Sequence, residues 1–270
     1  MNTVAPSTRK WMKLAHQALE KERGAEALSH FRQVIVLNPL HAEALHYIGY
    51  IFHSMGDAAQ AANYYQRAIQ ADSTYIESYL RLSNLLASQN DAQDAMQVAQ
   101  VAIQVAPDNY ETHRQLVSLL MRFEHAHLAP GYLESIAANF TNTSSFLEDY
   151  AFALKVNYRE EEADAIYARV LREHKPTLLF RLLYETHLPR LLLSAASIDP
   201  LRARFKKSLL GFLEEKQRIS IETFRYQPVF QLAFHHRDNK ELMQLYVRTL
   251  RHLSPMLNYT APHCRKDYTP

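Results

Sequence analysis

Leu45-His-Tyr-Ile-Gly-Tyr-Ile-Phe52, then Gly56, then Ala61-Ala-Asn-Tyr-Tyr65-Gln-Arg-Ala68 is the stretch on which the fold turns. Leu45, Ile48 and Phe52 recur at helical spacing and share one face, with the small Gly49 set among them. In the second run the order is inverted: small Ala61 and Ala68 flank the large Tyr65. Two amphipathic helices joined through a glycine turn make a hairpin. Small residues at Gly49 and Ala61 let the two backbones approach closely, and the large residues fill the space beside them.

The same device recurs at a fixed interval on both sides. Pro39, Ser73 and Pro107, where the second helices end, are spaced 34 residues apart. Counting back from each gives Ala27, Ala61 and Ala95, then Phe31, Tyr65 and Ala99, then the polar Arg32, Gln66 and Gln100, which are expected to face solvent. The first helices open with Trp11, Leu45 and Tyr79 and continue through Leu14, Ile48 and Leu82 to the small Ala15, Gly49 and Ser83, then Ala18, Phe52 and Leu86. A fourth unit is worn, keeping Leu116, Leu120, Ala129 and Leu133, and Pro130 is expected to shift or kink the start of its second helix. A fifth returns to phase with Leu147, Tyr150, Ala151, Leu154, Ala163, Tyr167 and Val170. Glu160-Glu-Glu162 reads as the solvated turn between that unit's helices.

This pattern resembles the tetratricopeptide repeat. The resemblance implies an all-α, right-handed superhelical solenoid over residues 1–176, with units at about 8–41, 42–75, 76–109, 110–143 and 144–176, followed by a helical neck over 177–270. One hairpin cannot bury both faces, so neighbours must stack. In the family the first helices line a concave face that receives partner peptides. The inward positions are then His16, His46, Tyr47, Tyr50, Arg81, Asn84, Arg114, Gln115 and Phe152, with Met12, Leu80, Ser118 and Asp149 beside them. Such a surface suits an extended backbone that is hydrogen-bonded while its side chains stack on tyrosine. The plainer reading of any one of these residues is a solvated helix face.

Two specialised family grooves do not match. The clamp for chaperone C-terminal carboxylates wants lysines, asparagines and an arginine where this chain has Met12, His16, Tyr47, Glu77 and Arg81. An asparagine ladder would need Asn where the chain has Lys13, Tyr47, Arg81, Gln115 and Asp149.

After Lys175-Pro176 the phase breaks. Leu178, Leu179, Leu182 and Leu183 predict a helix over 177–187 limited by Pro189. Ser197-Ile-Asp-Pro200 predicts a helix start with Asp199 as cap and Pro200 in the first position. Another helix is expected from near Asp238, with Leu242, Leu245, Tyr246 and Leu250 on one face, ending before Pro255. Three stretches are similar to the segment that joins repeats to catalytic domain in SPINDLY-like members of the O-linked N-acetylglucosamine transferase family. They are His187-Leu-Pro-Arg190 through Phe205, Phe230-Gln-Leu-Ala-Phe234 with Asp238-Asn239, and Pro255 through Leu257-Asn258 to Ala261-Pro-His-Cys264. The chain departs from that family at His236 and lacks its Ile-Tyr after Leu-Pro. The resemblance implies a neck that packs against a glycosyltransferase domain.

No glycine-rich phosphate loop and no strand run occurs before Pro270, so this chain alone is expected to be catalytically silent. It then reads as the recruiting part of a protein glycosyltransferase, or as a free-standing adaptor that scaffolds a complex. A homo-oligomer would cap an exposed end equally well.

Composition narrows the rest. The chain has 270 residues, 5 glycines and 1 cysteine, which favours helix and rules out an intrachain disulfide. Residues 1–171 carry 13 Lys/Arg against 19 Asp/Glu, and residues 172–270 carry 17 against 9. The basic half has no cationic run with interleaved aromatics, so nucleic acid is not expected as a partner. His235-His236 and His263-Cys264 lack metal-ligand spacing, and neither a metal nor a cofactor is expected. With no signal-like start from Met1 to Trp11 and no stretch of 18 apolar residues, the expected place is the cytoplasm, away from membranes.

Overall fold

The computed structural model describes residues 6–188, 194–219, 232–233 and 235–258. Among these it contains thirteen α-helices, and no strand. None of the helices is long and apolar enough to cross a membrane. The chain divides into two compact units, 1–141 and 142–270.

The first unit is four helical hairpins: α1 (Pro6–Glu20) with α2 (Gly24–Leu37), α3 (Ala42–Ser54) with α4 (Ala58–Ala71), α5 (Ile76–Ser88) with α6 (Ala92–Val105), and α7 (Tyr110–Arg122) with α8 (Ala129–Phe140). Each hairpin packs on the next through its neighbouring helix. The all-α reading and the stacked hairpins follow the sequence expectation. Ala27, Ala61, Ala95 and Ala129 are fully buried, as the repeat requires, while Arg32, Gln66 and Gln100 are exposed.

The steric reason for the small positions is measurable. A Cβ added to Gly49 would come within 2.9 Å of the Tyr65 ring and 3.2 Å of the Ala61 carbonyl oxygen. In the third hairpin Ser83 stands at the equivalent place, and its hydroxyl donates to the Ala95 carbonyl at 2.9 Å, so a close approach is kept by a hydrogen bond.

Turn chemistry sets the helix ends. Asp57 accepts from the Gln60 amide at 3.0 Å and Asn109 from the Glu111 amide at 3.0 Å, satisfying donors that a helix start leaves open. The tight turns inside the hairpins all pass through one left-handed residue. These are Glu22 (φ 57°), Gly56 (82°), Asn90 (65°), Glu124 (64°) and, in the second unit, Tyr158 (62°). They fall 34 residues apart, so the repeat is a backbone fact as well as a side-chain one. Pro130 acts as expected: a 3-10 turn at Ala126–Leu128 precedes a late helix start at Ala129, with the proline in the first turn, where its missing N–H is harmless.

The second unit holds α9 (Ser144–Val156), α10 (Glu160–Glu173), α11 (Leu178–Glu185), α12 (Ile198–Phe212) and α13 (Lys240–Leu253). Glu148, buried in α9, accepts from the Thr177 amide at 3.1 Å and hydroxyl at 2.9 Å, tying the start of α11 to the hairpin α9–α10. Leu178, Leu182, Phe212 and Leu253 form one apolar cluster, and Phe205, Leu209, Leu242 and Tyr246 belong to another. The Thr249 hydroxyl donates to the Leu209 carbonyl at 3.2 Å, joining α13 to α12.

Two local expectations are corrected. Helix α12 starts at Ile198 out of a 3-10 turn, so Asp199 and Pro200 lie inside its first turn; Asp199 caps nothing and pairs with Arg237 at 3.3 Å. Glu160, Glu161 and Glu162 are the first turn of α10, where the helix dipole favours anions, and the turn itself lies before them. Of the neck motifs, residues 189–193, 220–231, 234 and 259–264 lie outside the described residues, Cys264 among them.

Candidate functional site

The first helices of the first unit place their side chains in register, and successive ones are stitched together. Between α1 and α3, His16 Nε2 and Glu43 Oε1 are 3.0 Å apart, and the His16 ring meets Tyr47 edge-on at 4.8 Å. Tyr47 in turn stacks on Phe31 at 5.2 Å, with the ring planes 4° apart. Between α3 and α5, His46 Nδ1 lies 3.0 Å from the Ser78 hydroxyl, and Arg81 sits 5.3 Å over the Tyr50 ring. Between α5 and α7, Gln115 Nε2 donates to Ser83 Oγ and to Asn84 Oδ1, each at 3.0 Å.

Beside the last of these stitches is a cleft of ≈ 480 Å³ on α5 and α7. Leu80 and Ser118 lie in it with Arg81, Asn84, Arg114 and Gln115, and Glu77 and Glu111 complete the wall. Amides, a hydroxyl and two charges of each sign thus share one surface. Arg114 is 3.5 Å from Glu111, one turn away on its own helix. The arrangement can hydrogen-bond peptide groups through the exposed Asn84 and Ser118 and pair with side chains of either charge, while Gln115, buried and donating to Ser83 and Asn84, holds Asn84 in place.

The nine expected residues therefore separate into groups. Arg81, Asn84, Arg114 and Gln115 line the cleft, and Tyr50, 38% exposed, is coupled to it through Arg81. His16 and Tyr47 are half-buried in the aromatic cluster at the other end of the unit. His46 departs from the expectation of a ligand-facing residue, being 5% exposed and enclosed by the rings of Tyr47, Tyr65 and Tyr75. Burial, and secondarily the Arg81 charge, lowers its pKa to about 4, so it is a neutral structural stitch at ordinary pH. Phe152 is half-buried in α9 and belongs to the second unit.

Glu77 and Glu111 are absent from the expected groove residues. The signal is present in the sequence: Glu43, Glu77 and Glu111 recur 34 residues apart, each in the first turn of a first helix. A glutamate there is ordinarily explained by the helix dipole, which hides its second use. His235 and His236 do not share a surface, the first being 1% exposed and the second exposed at a left-handed φ of 49°.

Comparison with known proteins agrees with this architecture. Residues 12–76 and 52–123 match tetratricopeptide repeat models. No curated protein matches. Among solved structures the chain is similar to pilF of Pseudomonas aeruginosa, with TM-score 0.60, 15% identity, 86% of this chain covered and 98% of that one. It is also similar to a thermophilic TPR protein of Thermus thermophilus, with TM-score 0.50, 21% identity and coverage of 66% and 96%. An O-GlcNAc transferase of Thermobaculum terrenum aligns at TM-score 0.45 and 19% identity over 52% of this chain and 27% of that one, too weak a likeness to bear on function. These likenesses describe the fold alone.

Proposed function

We propose that the chain is a protein-binding scaffold whose first-helix face, centred on the α5–α7 cleft, receives an extended polypeptide. The observation that carries this is the convergence of Arg81, Asn84, Arg114, Gln115 and Ser118 on one open cleft, joined to Tyr50 by the Arg81 guanidinium. Peptide backbones present alternating donors and acceptors, and the cleft offers both. A peptide selected from a random library on the full chain should lose about tenfold or more in affinity when Tyr50→Ala and Arg81→Ala are combined, as for a central anchor pair. Unchanged affinity in a folded double variant removes this face as the binding surface.

The finer reading is that this scaffold recruits substrates for a SPINDLY-like protein glycosyltransferase, with a glycosyltransferase domain as partner at its C-terminal end. It is supported by the His187-Leu188, Asp238-Asn239 and Pro255–Asn258 matches and by the charge difference between the chain's halves. On this reading the chain alone transfers no label from a nucleotide sugar, and turnover by the purified chain contradicts it. The adaptor reading fits the same cleft, and the two separate on whether a glycosyltransferase co-purifies with the chain.

A further inference from the structure

Three side chains of α5 that line the first-unit cleft, Glu77, Arg81 and Asn84, stand at i, i+4 and i+7, on one face of the helix at successive turns, and all three are exposed. On α7, Arg114 lies 3.5 Å from Glu111, so that pair of charges is already compensated. Glu77 and Arg81 have the spacing at which a glutamate and an arginine ordinarily pair, yet among the described residues neither takes part in an ion pair. Arg81 lies instead against the Tyr50 ring, 5.3 Å from its centre. Such stacking engages the flat face of a guanidinium and leaves its N–H edge for a second partner.

The polarity of Asn84 is set by a buried relay. The Ser83 hydroxyl gives its one proton to the Ala95 carbonyl at 2.9 Å, so its oxygen can only accept from a second partner. The Gln115 group that approaches it at 3.0 Å must therefore be the NH2, and that same NH2 donates to Asn84 at 3.0 Å. The Asn84 atom that receives it is the carbonyl oxygen, which leaves the Asn84 NH2 for the cleft. Along its exposed face α5 thus presents, in order, a carboxylate, a guanidinium edge and an oriented N–H donor.

At the rise of an α-helix, positions four apart are separated by about 6 Å and positions seven apart by about 10 Å. In an extended peptide, side chains two residues apart leave the same face about 6.6 Å from each other, and three residues span about 10 Å. Resting on the peptide-binding reading above, we propose that the cleft selects polypeptide segments in which a cation and an anion are separated by one residue, Lys/Arg-x-Asp/Glu or the reverse order. The cation pairs with Glu77, the anion with the edge of Arg81, and a backbone carbonyl beside the anion accepts from Asn84. A segment of a single sign gains one of these pairs and sets a like charge against the other group.

A random peptide display library selected on the full chain tests this. Cation-x-anion pairs, in either order, are expected to be enriched about fivefold or more over adjacent cation-anion pairs, whose side chains leave an extended chain on opposite faces. Moving one charge of a selected peptide by a single residue should weaken its binding about fivefold by fluorescence anisotropy, a loss within the reach of two exposed ion pairs. Selection on Glu77→Lys, a change at an exposed position, should exchange the preferred cation for a second anion. Asn84→Ala should weaken the selected peptides about fivefold, as for one lost hydrogen bond, without altering the preferred pair. Enriched peptides that lack the pair, an unchanged preference on a folded Glu77→Lys chain, or full affinity for Asn84→Ala overturns this inference and leaves the peptide-binding reading standing. A library from which nothing is enriched overturns both.

Discussion

Each hairpin turn asks one residue to adopt a left-handed backbone, and the chain answers with glycine only at Gly56 and with asparagine at Asn90. Glu22, Glu124 and Tyr158 take the same conformation at a cost of about 1–2 kcal/mol each, because Cβ crowds the following carbonyl. Glycine relieves that strain but loses more entropy on folding, so Glu124→Gly and Tyr158→Gly should each stabilise by a net ~0.5–1 kcal/mol in urea denaturation. Gly49 is the opposite case. Gly49→Ala drives a methyl into the Tyr65 ring and should cost about 1–3 kcal/mol, measured in the same way, with the largest loss if the ring cannot swing aside. Residues of this kind are readable where composition marks them, as at Gly49, Gly56 and Ala61. Glu124 and Tyr158 carry no such mark, and only their distance from Gly56 betrays them.

At the scale of helices, neighbouring hairpins are held by polar stitches set into an apolar seam. His46 is the most sensitive of them. Its folded pKa of about 4 lies below the 6.5 of an unburied imidazole, so the unfolded chain takes up the proton more readily. The contribution is complete above about pH 6.5 and is lost as pH falls toward 4, amounting to up to ~3 kcal/mol. His46→Gln, which keeps a hydrogen-bonding group near Ser78, should flatten the fall in stability between pH 6.5 and 4 in paired urea titrations. If the slope is unchanged, His46 is not the acid-sensitive element. Gln115→Ala removes two hydrogen bonds between α5 and α7 and should cost about 1–2 kcal/mol. Helix existence is legible from the periodicity of apolar faces, Leu242 and Tyr246 of α13 included. Helix starts are less so: Pro200 tolerates any place in the first turn, so it could not say where α12 begins.

For the molecule as a whole, the first unit carries the cleft on α5 and α7 and the second is a separately packed set of helices. The repeat period tells which residues share the first-helix face, and Arg81, Asn84, Arg114 and Gln115 do meet in one cleft. It does not tell which of them point outward, because a histidine and a tyrosine at neighbouring positions satisfy the same pattern; His46 goes inward under three tyrosine rings, while Tyr50 stays out. The central claim is that the first-helix face holds the bound polypeptide. Amide chemical shifts of the labelled chain, titrated with a library-selected peptide, test it most directly. Perturbations centred on Leu80, Arg81, Asn84, Arg114 and Ser118 are the predicted result. Perturbations centred instead on the outer residues of the second helices, Arg32, Gln66 and Gln100, would contradict it.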